Sequence, residues 1–245
     1  KYNGVSDGCI LSDDFTGDLY VIGLWMHGVL DPKTGKWIEN LTDTSTVWNH
    51  QWRAHGSQPG YGVKQSSQFL ISKSTDDGLT WSEPRNITRQ VKKEKWWLLA
   101  PGPGRGITME DGTLVFPVEG RNEDGLQFST IMWSKDKGEN WTVGEPAYYN
   151  TNECQVVELS DHSLMLNMRE RSNRGRQEGN GRAIAVTADL GKTWTDIPRR
   201  AELSLNRLAR HPCCAMIILK TEKNVMYYSL PILIQKSAVT TLPLR

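Results

Sequence analysis

The chain has 245 residues, 38% of them hydrophobic, with 29 basic against 28 acidic side chains and a formal net charge of +1. That length suits one large all-β domain or two small ones, and the charge balance provides no strong field to draw nucleic acid or an anionic membrane. No apolar run approaches the ~18–20 residues of a membrane-spanning helix, so no membrane span is expected.

Taken in chain order, the elements repeat. A short turn leads into an apolar strand at Thr16-Gly-Asp-Leu-Tyr-Val-Ile-Gly-Leu-Trp25, again over 110–117, and again over 160–169. Each is followed by a second strand, at Gln68–Ser72, Ser129–Trp133 and Arg182–Val186, whose apolar runs or alternation are strand signals. Each second strand runs into an eight-residue box: Ser74-Thr-Asp76-Asp-Gly78-Leu-Thr80-Trp81, Ser134-Lys-Asp136-Lys-Gly138-Glu-Asn140-Trp141 and Thr187-Ala-Asp189-Leu-Gly191-Lys-Thr193-Trp194. The boxes carry their own turn chemistry. Ser and Asp side chains can bond backbone N–H groups a few residues on, Gly accepts the positive φ that other residues avoid, and Trp returns to a strand with a large face to bury. They are expected to be folding corners rather than ligand sites.

Repeats at this period mean that one supersecondary unit is copied, as in a propeller. Helix signals are weak throughout. Turn–strand followed by strand–box–strand makes a four-stranded blade, and about four are expected: 4–82, 97–142, 150–195 and a partial one from 211 onward. A single partial propeller domain over 1–245 is therefore expected. Two stretches break the rhythm. Residues 30–66 form a long polar insertion containing Trp37, Trp48, Trp52 and Tyr61, and loops of that length are usually functional or disordered. Residues 231–245 form a tail without a box. Cys9, Cys154, Cys213 and Cys214 fit no metal-knuckle spacing and read as buried core thiols. His50 and His55 share a polar loop with no third ligand at an obvious spacing, so neither a metal nor another cofactor is expected. The chain opens on Lys1 without a signal-peptide pattern, which reads as a mature form or a fragment.

The boxes resemble those of the Asp-box families, which include sialidases, other glycosidases and non-enzymatic propellers. Further segments narrow the resemblance. Ala100–Pro117 is similar to a Gly-Pro-rich stretch of exo-α-sialidases. Asn152-Glu-Cys-Gln-Val-Val-Glu-Leu-Ser-Asp161 with Leu164–Arg169 resembles the segment carrying that family's catalytic Glu and second arginine, and Val5-Ser-Asp7 resembles a segment supplying a substrate-binding Asp. The likeness is nearest to secreted Bacteroides-type enzymes and runs from about Asn3 to Pro231. It implies a six-bladed β-propeller, incomplete here, that releases terminal sialic acid from glycoconjugates with retention and is secreted or periplasmic. Sialidases use a Tyr nucleophile; a neutral phenol, deprotonated by a Glu as it attacks, avoids repulsion from the sugar's carboxylate. Arginines hold that carboxylate through paired hydrogen bonds.

The resemblance implies that Glu153 activates the Tyr and that Arg169 binds the sugar carboxylate. The residues alone allow a solvated Glu at a strand terminus and a surface arginine, as Arg171, Arg174 and Arg176 look to be. Asp7 either hydrogen-bonds a sugar hydroxyl or caps a turn ahead of the strand at Cys9. Trp25 and Trp37 are candidates to pack against the N-acetyl methyl, with blade core as the rival role for Trp25. In the family an arginine and the acid/base Asp precede the matching segment, and a third arginine and the Tyr follow it; Tyr227 and Tyr228 do not fit that place. The 245 residues alone are accordingly expected to have little or no activity. The alternatives are a non-catalytic propeller that binds sialylated glycans and a structural propeller that binds protein.

Overall fold

A computed structural model describes residues 2–36, 38, 49–50, 56–170, 182–196, 217–220 and 225–228. Trp37, Trp48, Trp52, Arg171, Arg174, Arg176, Cys213, Cys214 and the 231–245 tail lie outside the described residues. The chain divides into two compact units, 1–199 and 200–245.

The first unit is built from antiparallel meanders. β1 (Tyr2–Ser12), β2 (Leu19–Gly28), β3 (Gln68–Ser74) and β4 (Arg85–Asn86) form the first blade in spatial order. The short helix α1 (Thr88–Val91) leads to β5 (Leu98–Pro101), and two short strands follow, β6 (Gly104–Arg105) and β7 (Ile107–Thr108). β5 joins β8 (Leu114–Arg121), β9 (Gln127–Ser134) and β10 (Thr142–Val143) in the second blade, where β7 pairs with β8 and β11 (Tyr148–Tyr149) with β9. β12 (Thr151–Glu158), β13 (Leu164–Glu170), β14 (Arg182–Thr187) and β15 (Thr195–Asp196) make the third. These are the blades expected over 4–82, 97–142 and 150–195. In the second unit β16 (Ile217–Lys220) and β17 (Val225–Tyr228) pair as an antiparallel hairpin.

The boxes fold as their chemistry dictates. In the first, Ser74 Oγ donates to Asp76 Oδ1 at 2.8 Å and accepts the Gly78 N–H at 3.0 Å, while Thr80 donates its N–H and its hydroxyl to Asp76 at 2.8 and 2.6 Å. Ser134–Asp136–Asn140 and Thr187–Asp189–Thr193 repeat the pattern. Hydrogen bonds from Thr193, its backbone N–H foremost, pull the Asp189 carboxyl down to about 2. Two successive residues are left-handed in each box: Asp77 and Gly78, Lys137 and Gly138, Leu190 and Gly191. Positive φ was expected at the glycine alone. The Trp that ends each box lies ahead of the outer strand rather than on it, Trp141 and Trp194 immediately before it and Trp81 four residues before Arg85. Trp141 is buried but Trp81 remains 40% exposed, because the first blade's corner has no described neighbour packed over it.

The blades stack through two apolar layers. Tyr20, Ile22 and Phe69 of the first meet Phe116, Phe128 and Trp141 of the second; Val115 and Ile131 of the second meet Val156, Leu166 and Met168 of the third. β8 is buried at every position from Leu114 to Gly120, which explains its continuous apolar run where a one-faced strand would alternate. Each buried Leu, Val or Phe of these layers contributes about 1.5–3 kcal/mol by leaving water. Polar bonds tie each blade to the next blade's corner: Tyr20 donates its hydroxyl to Lys137 O at 2.8 Å, and Trp133 Nε1 donates to Leu190 O at 3.1 Å. Cys9 and Cys154 are buried free thiols.

Candidate active site

The boxes close one end of the blades. At the opposite end β1 and β12 begin and β2 and β13 finish, as the pairings Val5 with Trp25 and Thr151 with Glu170 show. Two β-bulges shape that end. The β1–β2 register shifts between Ser6 and Cys9, and the β12–β13 register shifts between Thr151 and Cys154. A bulge adds an unpaired residue and re-aims side chains, and each of these two contains a carboxylate.

Glu153 lies in the second bulge, and Arg169 is near the end of β13. The bulge brings them together: Arg169 Nη1 donates to Glu153 Oε2 at 2.7 Å, with the side chains 48% and 24% exposed. Along β13, Leu164, Leu166 and Met168 share one apolar layer, and strand alternation turns Arg169 the other way.

Asp7 occupies the first bulge with φ 55°, a left-handed conformation that Asp tolerates better than most residues. It lies inside β1 rather than ahead of it, so no turn remains for it to cap; the apolar strand expected to start near Cys9 begins at Tyr2. Ser6 Oγ donates to its Oδ2 at 2.9 Å. Burial raises the Asp7 pKa and the charge of Glu153 raises it further, against the Ser6 hydrogen bond. Asp7 of the first blade and Glu153 of the third are thus electrostatic neighbours.

Trp25 is partly buried near the end of β2 and belongs to neither of the two inter-blade layers. It stacks on His27 at 6.3 Å and meets His50 edge-on at 5.5 Å. The 30–66 insertion leaves β2 beyond Trp25, and its described parts are pinned. Asn49 Oδ1 accepts the Val29 N–H at 2.8 Å, His50 N–H donates to His27 O at 2.8 Å, and Lys92 Nζ donates to Gly60 O at 2.8 Å. His50 is fully buried, and desolvation lowers its pKa to about 4. Trp37 lies outside the described residues. Among those described, no group of three His, Cys, Asp or Glu could hold a metal ion, and no helix is long and apolar enough to cross a membrane.

Sequence reasoning missed Arg182 and Asn167. Arg182 opens β14 directly opposite Arg169. It donates to Asn167 O at 3.0 Å, to the Asn167 side-chain oxygen and to Glu153 O at 3.5 Å. Its only trace in the sequence is a charge immediately before an apolar strand.

The family of BNR repeat-like domains matches residues 48–241. A sialidase of Bacteroides fragilis is 42% identical over 225 residues, 91% of this chain and 36% of that protein. A sialidase of Clostridium perfringens is 36% identical over 58% of this chain and 38% of its own length. The chain belongs to the sialidase family of BNR-repeat proteins. It spans little more than a third of the length of these relatives. The solved structure of Hadza microbial sialidase Hz136 superposes on this sialidase-family chain with a TM-score of 0.68 at 40% identity, over 91% of this chain and 38% of that one. Trypanosoma rangeli sialidase in complex with sialic acid superposes with a TM-score of 0.57 at 19% identity, a likeness of fold. The stacked sheets are accordingly blades of a sialidase-type β-propeller.

Proposed function

We infer that Glu153, Arg169 and Asp7 form part of a site that holds a terminal sialic acid, and that the protein acts as a retaining exo-α-sialidase on sialylated glycans and glycoproteins. The observation that carries this reading is the Glu153–Arg169 pair at 2.7 Å, set on a bulge at the end of the blades opposite the boxes. A planar guanidinium there can turn two parallel N–H groups toward a sugar carboxylate. The adjacent Glu153 would accept the proton of an attacking phenol. Asp7 would accept a sugar hydroxyl, and Trp25 would pack against the N-acetyl group. The residues 30–66 form an insertion that leaves the fold at this end, where the rest of a glycan would lie. Such substrates sit outside cells, which suits a secreted or periplasmic protein.

Binding tests the reading whether or not these residues turn over alone. Free sialic acid titrated into the chain and followed by NMR should bind. Arg169→Ala should weaken it by about 10–100-fold, the loss of a hydrogen bond to a charged group at ~1.5–3 kcal/mol, whereas Glu153→Gln, whose amide oxygen still accepts from Arg169, should cost no more than about tenfold in affinity and abolish release of sialic acid wherever release is measurable. Equal affinities in the parent and Arg169→Ala would refute the assignment. Binding with no hydrolysis in any context would favour a glycan-binding propeller instead.

A further inference from the structure

Arg182 is an anomaly that the proposed chemistry leaves unused. Its guanidinium is largely buried, and burial lowers its pKa, as does the like charge of Arg169, while Cys154 and Glu153 act upward. A buried cation costs several kcal/mol unless acceptors surround it, and among the described residues no carboxylate lies within ion-pair distance of it. It also faces Arg169 directly across the β13–β14 ladder, and like charges so placed repel. A sheet built for stability alone would not put two arginines there.

The acceptors explain the arrangement. Arg182 spans from Asn167, side chain and main chain, to the backbone carbonyl of Glu153. That carbonyl belongs to the β12 bulge, where the ladder with β13 is interrupted. One guanidinium fork therefore ties the bulge to β13, the strand that carries Arg169 two residues beyond Asn167. We propose that Arg182 is a positioning residue, locking the Glu153 bulge against β13 so that the Glu153 carboxylate holds Arg169 in one orientation toward the sugar carboxylate. This rests on the functional reading above. A neutral side chain could not supply three donors in one plane, and Lys has no fork.

The test is a double-mutant cycle on sialic acid affinity, with Arg169→Ala and Arg182→Met, alongside ¹⁵N NMR of the Arg169 guanidinium in the ligand-free chain. Arg182→Met should weaken binding about tenfold, equal to about 1.4 kcal/mol, in the parent background. In the Arg169→Ala background it should cost less than about twofold, because the group it positions is gone. Rotation of the Arg169 guanidinium, restrained in the parent, should become fast in Arg182→Met. An equal loss in both backgrounds, or an unchanged Arg169 guanidinium, overturns the proposal. If Arg182→Met fails to fold, Arg182→Lys replaces it and should lose affinity in the same direction and free the Arg169 guanidinium; parent-like values for both overturn the proposal. Should sialic acid bind none of these proteins, the functional reading fails, and the guanidinium measurement still decides whether Arg182 orders Arg169.

Discussion

Alanine at the box glycines should cost very different amounts in three copies of one motif. All three are left-handed, with φ of 82° at Gly78, 79° at Gly138 and 80° at Gly191, so each substitution carries about 1–2 kcal/mol of backbone strain. What differs is the space. A Cβ on Gly78 would meet Leu19 Cδ1 at 3.5 Å, an ordinary contact. On Gly138 it would lie 2.6 Å from Tyr20 Cε1, and that ring cannot retreat: Tyr20 is 1% exposed, packs edge-on against Trp141 and is anchored through its hydroxyl to Lys137 O. Overpacking of this kind adds about 1–3 kcal/mol. Gly191 is intermediate, with Gly144 Cα at 3.2 Å and Ile131 Cγ1 at 3.3 Å. Gly78→Ala should therefore cost about 1–2 kcal/mol and Gly138→Ala about 2–5 kcal/mol, with Gly191→Ala between them. At about 2–4 °C per kcal/mol for a chain of this size, thermal or urea unfolding resolves the order. A Gly78→Ala variant as destabilised as Gly138→Ala would refute the claim that the first blade's aromatic ring is wedged against the second blade's corner.

Asp7→Asn should raise the melting temperature and weaken sialic acid binding together. Burial and Glu153 disfavour the Asp7 carboxylate in the folded state, Asn tolerates the same left-handed backbone, and a variant that loses stability would count against this account. His50 should make the fold acid-sensitive. Its pKa is about 4 when folded against 6.5 when exposed, so its stabilisation is complete above pH 6.5 and is lost as pH falls from 6.5 toward 4, by at most about 3 kcal/mol. Urea melts of His50→Gln should lack that slope. Lys92 gives the opposite window. Desolvation lowers its pKa from 10.5 to about 8, so the charged amine costs stability below pH 8, and that cost is relieved as pH rises from 8 to 10.5, by up to about 3 kcal/mol; unfolding of Lys92→Met across this range should show no such rise.

Much of the fold was legible because its signals are local. Ser74, Asp76, Gly78 and Thr80 close their corner with bonds spanning at most four residues, so the motif announces itself wherever it occurs. The strands on either side follow from apolar runs bounded by those corners. That Glu153 and Arg169 would lie together was suggested only by resemblance, since a Glu and an Arg at strand ends are ordinary surface residues by spacing alone. Asp7 was misplaced relative to its strand because a bulge interrupts the alternation that would have revealed β1 as continuous.

The amino-acid order by itself determined the corners, the strands that meet at them and the four-stranded repeat, because each depends on neighbours within a few positions along the chain. Tertiary structure alone decided that Trp141 is buried while Trp81 is partly exposed, that one box glycine is jammed and another roomy, and that Arg182 reaches the Glu153 carbonyl 29 positions away. Those outcomes depend on ladder register and on which blade face lies against which, and pair contacts across strands leave no periodic mark in the sequence of either partner.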